Sequence, residues 1–359
     1  MTSLIRTALA ALPLLLALPA QAQIVVNTLD GGNDGSCDAG ATGPADDCSL
    51  LEALDAANAD PDESSITFSV SGTIPITAQA LVTETVNLDG TSAPAGAGTV
   101  IVDGSGLSGG AALRFQGSSA SGSTLFGLSV GNAPAAGVEV AVGVSGVEIA
   151  FNFIGTTPAG ADLGNGGDGI LLAGPNNSIG APLGGNTIGF NGGRGVEING
   201  AGASGNVLVN NSIGTDFRGA DLGNARDGVR IAGAPNNNVS SNTIGFNGDG
   251  VGILFSGATG NVVDQNTIGT SFNGDDIGNT NDGLFILDAS GNTVENNTIG
   301  FNNDQGIVLV GTGTSGNEVS DNFVGTNASG ADLGNANEGI LVEEAPNNRV
   351  GGNTVGFNT

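Results

Sequence analysis

A short segment that begins with asparagine repeats from residue 152 onward, and its spacing limits what the chain can fold into. The sequence Asn-Thr-Ile-Gly-Phe-Asn occurs at 186–191, 242–247 and 297–302, and a version ending in threonine alternates with it. The leading asparagines are Asn152, Asn186, Asn211, Asn242, Asn266, Asn297, Asn322 and Asn353. Their spacings are 34, 25, 31, 24, 31, 25 and 31 residues. A unit this short cannot bury its own apolar face, so neighbouring copies must stack and share a core.

Each unit contains three β-type runs, for example 306–309, 317–319 and 322–325, with glycine and asparagine between them. Apolar residues alternate with small or polar ones, which indicates strands with one buried face. The pattern resembles that of the right-handed parallel β-helix, or pectin-lyase-like, proteins over residues 66–359. An all-β solenoid of this kind fills a narrow core with stacked Ile, Val and Leu, which suits a chain with 65 glycines and 14 aromatic residues.

Stacked coils place equivalent side chains above one another, so the eight leading asparagines predict a structural ladder. Asparagine tolerates the left-handed backbone of a tight corner, and its amide can bond to the copies above and below. A second ladder is predicted five residues earlier, at Asn206, Asn237, Asn261, Asn292, Asn317 and Asn348. Its counterpart in the first long coil is Asn177, which implies a four-residue insertion at 181–184.

The N-terminal segment has the features of an exported protein. Residues 1–22 combine Arg6, an apolar run and the small-x-small end Ala20-Gln21-Ala22, which predicts a secretory signal peptide and a secreted or cell-surface location. No other apolar segment is long enough to span a bilayer. In an oxidising compartment the two cysteines, Cys37 and Cys48, are expected to form a disulfide.

Residues 23–65 are predicted to form a cap that covers the first coil. Ser49-Leu50-Leu51-Glu52 matches a capping box and predicts a short helix to about Ala57. Residues 48–54, Cys-Ser-Leu-Leu-Glu-Ala-Leu, resemble the Cys-Ser-Leu-Arg-Glu-Ala (CSLREA) signature of secreted bacterial β-helix proteins, with Leu51 in place of arginine. The parallel β-helix would then extend over 66–359 and be truncated at its C-terminus, because residue 359 falls in mid-coil.

The composition restricts both partners and chemistry. The chain carries 35 acidic residues against seven basic ones, no histidine and no tyrosine, and all seven basic residues are arginines. Such a charge disfavours nucleic acid and anionic membranes and favours cations or neutral glycans. Without His, Tyr or Lys, proton transfer is left to Asp, Glu and Arg, so a His-Gly galacturonase motif and a serine triad are excluded.

One candidate catalytic position lies on the strand that the resemblance implies would carry the active groups. Glu197 and Arg230 would point outward on successive coils, close enough for an ion pair, whereas Val308 and other apolar residues occupy the same position elsewhere. A surface ion pair is the simpler interpretation. An inverting glycosidase, which needs two carboxyls, or a calcium-dependent lyase, which needs an acidic cluster with arginine, remains open.

The long coils share an acidic insertion that is absent from the short coils. Its acidic pairs are Asp162 with Asp168, Asp221 with Asp227, Asp276 with Asp282, and Asp332 with Glu338. The four loops should project from one side at intervals of two coils, roughly 9 to 10 Å. Asp162, Asn165 and Asp168 offer the oxygen ligands that Ca²⁺ prefers, but Asp-Gly and Gly-Asn are also turn formers. The turn interpretation is the simpler one, so no cofactor is expected, and Ca²⁺ is the alternative that the loops leave open.

Regular repeats and missing proton shuttles favour a non-enzymatic function. The leading hypothesis is a secreted or surface-exposed β-helix that acts as a rigid structural, adhesive or glycan-binding module. The alternative is a polysaccharide lyase or glycoside hydrolase that uses carboxylates and Arg230.

Overall fold

The computed structural model describes residues 22–33, 37 and 47–359. The predicted signal peptide lies outside these residues except for Ala22, as does most of the loop between the two cysteines.

Strand β1 (Ala22–Val26) and helix α1 (Leu50–Ala59) come first. The irregular coils contain β2 (Ser64–Phe68), β3 (Gly72–Pro75), β4 (Ala80–Val82), β5 (Val86–Asp89), β6 (Val100–Asp103), β7 (Leu113–Phe115), β8 (Thr124–Phe126), β9 (Ser129–Gly131), β10 (Val138–Val140), β11 (Glu148–Ala150) and β12 (Phe153–Ile154).

The repeat region continues with one strand per side of each coil. These strands are β13 (Ile170–Leu172), β14 (Ser178–Ile179), β15 (Thr187–Ile188), β16 (Val196–Asn199), β17 (Val207–Val209), β18 (Ser212–Ile213), β19 (Val229–Ala232), β20 (Asn238–Ser240), β21 (Thr243–Ile244), β22 (Val251–Leu254), β23 (Val262–Asp264), β24 (Thr267–Ile268), β25 (Leu284–Leu287), β26 (Thr293–Glu295), β27 (Thr298–Ile299), β28 (Ile307–Val310), β29 (Glu318–Ser320), β30 (Phe323–Val324), β31 (Ile340–Glu343), β32 (Arg349–Gly351) and β33 (Thr354–Val355).

The strands form three parallel sheets that run the length of the solenoid. Sheet A has 12 strands, beginning β1-β2-β5, sheet B has 11, beginning β3-β6-β9, and sheet C has 10, beginning β4-β7-β10. Successive strands along the chain visit A, B and C in turn, so each strand pairs with its equivalent in the next coil. The predicted right-handed parallel β-helix is therefore confirmed. Strand β1 pairs with β2 and extends sheet A into the segment predicted as the cap, because Ile24 and Val26 supply inward apolar residues.

The core consists of aliphatic side chains in vertical stacks. In sheet B, Ile188, Ile213, Ile244, Ile268 and Ile299 are in register and are completely buried. Each buried isoleucine contributes about 1.5–3 kcal/mol relative to an exposed one. The outward position of sheet C is less uniform than the sequence suggests, because Val308 is only 5% exposed.

Helix α1 covers the N-terminal end of the solenoid. The predicted capping box is present, since Ser49 Oγ accepts from the N–H of Glu52 and the Glu52 carboxylate accepts from the N–H of Ser49 at 2.8 Å. Leu50, Leu51 and Leu54 are buried, and the helix packs against β1, β2 and β4. The predicted Cys37–Cys48 disulfide is also present and joins the loop before the helix to its start.

Three continuous asparagine ladders hold the corners between sheets. In the first, each amide bonds to the next coil; the Nδ2 of Asn266, for example, donates to Asn297 Oδ1 at 3.0 Å. The same contacts join Asn152, Asn186, Asn211, Asn242, Asn266, Asn297, Asn322 and Asn353. The second ladder runs from Asn177 to Asn348 as expected. A third, which the sequence analysis missed, joins Asn165, Asn191, Asn224, Asn247, Asn279, Asn302, Asn335 and Asn358.

The sequence analysis predicts a left-handed backbone at the ladder asparagines. In the structure, the left-handed residue is mostly the one before each asparagine. Asn210, Gln265 and Asp321 have φ of 59°, 56° and 57°, and each precedes a ladder member. This turn leaves the asparagine N–H free to bond the side chain in the next coil, as Asn266 N does to Asn297 Oδ1 at 2.9 Å. Within the described residues, no helix is long and apolar enough to cross a membrane.

Candidate functional site

The residues that precede the strands of sheet C form a vertical line, which we call the acidic row. Its members each lie immediately before a glycine on seven successive coils: Asp168, Arg194, Asp227, Asp249, Asp282, Gln305 and Glu338. The glycine N–H donates to the carbonyl of the next row member, as Gly228 does to Asp249 at 2.8 Å. A side chain at Gly250 would lie 2.3 Å from the Gly283 carbonyl, so this position must be glycine.

Arg194 holds the N-terminal end of the acidic row. Its Nη1 lies 3.2 Å from Glu197 Oε2 and 3.5 Å from Asp168 Oδ1, and its Nε lies 4.0 Å from Asp227 Oδ2. The predicted Glu197–Arg230 ion pair is therefore wrong. Glu197 and Arg230 are register partners, but Arg194 lies three residues before Glu197 in the same coil and takes its carboxylate.

Arg230 is left beside the cluster without a salt bridge to any described residue. Its guanidinium lies 5.8 Å from the centre of the Phe255 ring, one coil further on. Its Nε is buried and has no hydrogen-bond partner among the described residues. Its positive charge still acts on the nearby Glu197 and Asp227 carboxylates, where it opposes the rise in pKa that burial causes.

The middle of the row carries Asp227, Asp249 and Asp282 on three successive coils. Burial raises the pKa of Asp282 to about 6; the Gln305 N–H opposes this, and the nearby charges of Asp249 and Asp304 add to it. Burial also raises the pKa of Asp249, and burial together with the Asp249 charge raises the pKa of Asp227. The pKa of Glu197 is raised by burial, followed by its contact with Asp168.

Part of this arrangement is structural. One oxygen of Asp249 accepts the backbone N–H of Asp282 at 3.1 Å, and one oxygen of Asp282 accepts that of Gln305 at 3.0 Å. Asp168 does the same for Arg194 at 2.7 Å. These bonds explain why a short carboxylate side chain occupies the position. Asp249 has a further hydrogen bond with the Asn281 side chain.

The structure separates the two members of each predicted metal pair. Asp162, Asp221, Asp276 and Asp332 close the turns of the long-coil loops, where each Oδ1 accepts the N–H two residues later. Asp168, Asp227, Asp282 and Glu338 belong instead to the acidic row. Asn165 is buried in the third ladder, which occupies its amide. Among the described residues, no group of three or more acidic, cysteine or histidine side chains is placed to hold a metal ion.

Sequence reasoning missed Arg194 and Asp249 because both lie in short coils, which lack the acidic insertion. The signal that was available is the residue before the glycine that opens each sheet C strand. It is Arg194-Gly195 and Asp249-Gly250 in short coils, and Asp227-Gly228 and Asp282-Gly283 in long ones.

Among solved structures, the fold is shared with a tailspike protein. Dettilon tailspike protein is 15% identical with a TM-score of 0.55, and the alignment covers 93% of this chain but 62% of the tailspike chain. The catalytic domain of a GH87 α-1,3-glucanase in complex with tetrasaccharides is 12% identical with a TM-score of 0.46, covering 93% and 69% of the two chains. An Azotobacter vinelandii mannuronan C-5 epimerase A-module is 14% identical with a TM-score of 0.39, covering 86% and 94%.

The repeat region is the part of the chain that matches a known protein family. A search of curated proteins found no match. The family model described as right handed beta helix region matches residues 163–355, which is more than half of the chain and includes the whole acidic row. The chain therefore belongs to the right-handed β-helix family.

Proposed function

We propose that this protein is an extracellular β-helix that binds a polysaccharide along the outward face of sheet C, beside the acidic row. The observation that carries the proposal is the run Asp227, Asp249 and Asp282. On these three coils the carboxylates are partly buried, and the described residues supply no ion pair for Asp249 or Asp282. Carboxylate oxygens that are neither neutralised nor fully hydrated are strong acceptors for sugar hydroxyl groups.

The spacing of the row suits an extended polymer. One carboxylate per coil, about 4.8 Å apart, is comparable to the length of one sugar ring, so a chain parallel to the solenoid axis would meet successive carboxylates. Gly252 leaves the strand beside the row without a side chain, and Phe255 presents a half-exposed ring next to Arg230. A net charge of −28 favours an uncharged or positively charged polymer over an acidic one.

The extracellular location rests on two features. The disulfide is typical of proteins in oxidising compartments, and residues 1–22 have the composition of a signal peptide. Secretion would bring the row into contact with cell-wall or matrix glycans.

Binding can be tested with immobilised polysaccharides and a matched pair of double variants. Asp249→Asn with Asp282→Asn removes two acceptor charges from the row, whereas Asp264→Asn with Asp321→Asn removes two charges from sheet A and the following corner. We expect the first variant to lose at least about tenfold in affinity, since hydrogen bonds to charged groups contribute about 1.5–3 kcal/mol, and the second to bind like wild type. Equal binding by both variants would remove the acidic row from the proposal.

Glycoside hydrolysis is a second candidate, favoured by the raised pKa of Asp282. A carboxyl group with a pKa of about 6 can donate a proton near neutral pH, and Asp227 lies two coils away as a candidate base. Two coils correspond to roughly 9 to 10 Å between backbones, close to the carboxyl separation of inverting glycosidases. Release of reducing ends from a bound polysaccharide by wild type, but not by Asp282→Asn, would support it, and binding without release would rule it out.

A further inference from the structure

A second surface with a different chemistry lies on sheet B, where the long-coil loops lean over the strands. The four loops span 156–165, 215–224, 270–279 and 326–335 and share one conformation. In each, the threonine hydroxyl donates to the carbonyl five residues later, and an antiparallel bridge joins that threonine to the loop aspartate. The loops are therefore held by their own backbone bonds rather than by a ligand.

The residue at the tip of each loop varies although the frame does not. The tips are Pro158, Phe217, Phe272 and Ala328. Phe217 is 80% exposed and Phe272 is 92% exposed, whereas the apolar residue at the base of these two loops is buried. The Arg218 guanidinium lies 4.5 Å from the centre of the Phe217 ring, whereas Phe272 is the more exposed of the two rings and borders a crevice.

Phe272 stands over a crevice of about 350 Å³ between the third and fourth loops. Thr267, Thr298 and Phe323 of sheet B form the floor, and Asn327 and Ser329 of the fourth loop line the opposite wall. None of the lining residues is charged, although the chain carries 35 acidic residues. The volume is at the lower end of the range for small-ligand sites.

We infer that this crevice binds a neutral sugar unit of a glycan chain, with the apolar face of the ring against Phe272 and its hydroxyl groups on the threonine, serine and asparagine side chains. The inference rests on the proposed function only in taking the partner to be a polysaccharide. To that proposal it adds a second contact surface, on sheet B, and the expectation that the bound sugar units are neutral. A carboxylated or sulfated sugar would find no cation in the crevice beside Phe272, and the protein around it carries a strong net negative charge.

A neighbouring crevice extends the surface toward the N-terminus. It has a volume of about 190 Å³ and lies between the second and third loops, so that Phe217 and Phe272 both line it. Its floor includes Ser212 and Thr243, and Thr243 Oγ1 accepts from Thr267 Oγ1 at 3.2 Å, which joins the two floors. Unlike the first crevice, it is also lined by charged side chains, Asp216, Arg218 and Asp275. Loops two coils apart, roughly 9 to 10 Å, would contact sugar units separated along one chain. No residue of the acidic row lines either crevice.

The test uses the full chain and defined neutral oligosaccharides: cellohexaose, laminarihexaose, xylohexaose and maltohexaose, with oligogalacturonate as the acidic comparison. Affinity is measured by calorimetry, and saturation-transfer NMR identifies the sugar protons in contact with the protein. Phe272→Ala and Phe217→Ala remove the rings. Leu183→Ala is the matched control, since Leu183 is 94% exposed on the tip of an unrelated loop.

We expect at least one neutral hexasaccharide to bind, with ring C–H protons receiving the strongest saturation. Phe272→Ala should weaken that binding about tenfold and Leu183→Ala should leave it unchanged. The inference is overturned if none of the neutral probes binds, if only oligogalacturonate binds, or if Phe272→Ala binds like wild type. Loss on Asp249→Asn with Asp282→Asn but not on Phe272→Ala would leave the proposed function standing and remove this surface from it.

Discussion

Asp282 shows how one residue links the fold to the candidate site. Its position before Gly283 is required by the coil, because its Oδ1 accepts the Gln305 N–H, and the same position takes it out of water beside Asp249. Its pKa is about 6 in the folded chain against an ordinary value of 3.8. The folded state therefore holds this proton more tightly than the unfolded state. As pH rises from 3.8 to about 6, stability is lost, and the loss is complete above that window.

Asp282→Asn should consequently stabilise the protein near neutral pH. Asparagine keeps an acceptor for the Gln305 N–H and removes the charge, so we expect a gain of about 1 kcal/mol in the free energy of unfolding at about pH 7.5, after allowance for solvent screening. The gain should shrink by more than half at about pH 4.5, where the folded wild type is itself protonated. Urea unfolding at both pH values measures it, with Asp321→Asn as control. A gain independent of pH would show that the pKa of Asp282 is not raised.

Asn266 should contribute strongly to stability through the first ladder. Its side chain accepts from Asn242 and donates to Val239, Asp264 and Asn297, and it is 1% exposed. Asn266→Ala leaves several buried groups without partners and should cost about 3 kcal/mol. Val207→Ala, at a partly exposed strand position, should cost less than about 1 kcal/mol. Similar denaturation midpoints for the two variants would mean that the ladder bonds add little.

Residues whose role follows from the repeat could be predicted, and those whose role depends on neighbouring coils could not. Asn152 and its equivalents recur in sequence, so their stacking follows from the period. Arg230 was predicted as the ion-pair partner of Glu197 because the two residues are opposite each other in neighbouring strands. The actual partner, Arg194, lies three residues earlier in the same coil, and the repeat pattern does not indicate this contact.

At the scale of elements, α1 shows how a solenoid end is covered. The helix contacts the first strands of sheets A and C, and Asn58 donates to Leu81 O and accepts from Thr83 N, which fixes its C-terminal end to β4 and the residue after it. The capping box predicted this helix to within two residues of its observed end. Strand β1 was missed because the segment before the cysteines carries no repeat.

The disulfide should stabilise this cap. The bond closes a loop with a sequence separation of 11 residues, which in the chain-entropy model corresponds to about 3 kcal/mol. Cys37→Ser with Cys48→Ser should lower stability by that order and increase proteolysis of residues 22–60 before the repeat region. Unreduced, denatured wild type should contain no titratable thiol, and two free thiols would contradict the structure of the cap.

The long-coil loops show a second property that could not be predicted from the sequence, the relative positions of their acidic side chains. Their position on one side and their period were predictable from the spacing, whereas the separation of Asp221 from Asp227 was not. The Asx turn at Asp221 and the return of the chain to sheet C place the two carboxylates in different environments, one exposed and one partly buried.

The whole molecule is a narrow rod with a net charge of −28. Self-repulsion should destabilise it at low ionic strength, so sodium chloride should raise the melting temperature by screening. The calcium hypothesis is tested by the same measurement at matched ionic strength. Because the loop aspartates cap their own turns, we expect calcium to add nothing beyond sodium. An extra rise with calcium that disappears in Asp221→Asn with Asp227→Asn would instead establish a loop metal site.

The most direct test of the central claim is carboxyl footprinting of the folded protein with and without a bound polysaccharide. Carbodiimide-coupled labelling followed by mass spectrometry reports the accessibility of each Asp and Glu side chain. The account predicts that the ligand slows labelling of Asp227, Asp249 and Asp282 several-fold. Labelling of Asp264 and Asp321, on sheet A and at the corner after it, should stay unchanged. Unaltered labelling of the acidic row in a saturated complex would contradict the proposal that this face of sheet C is the binding site.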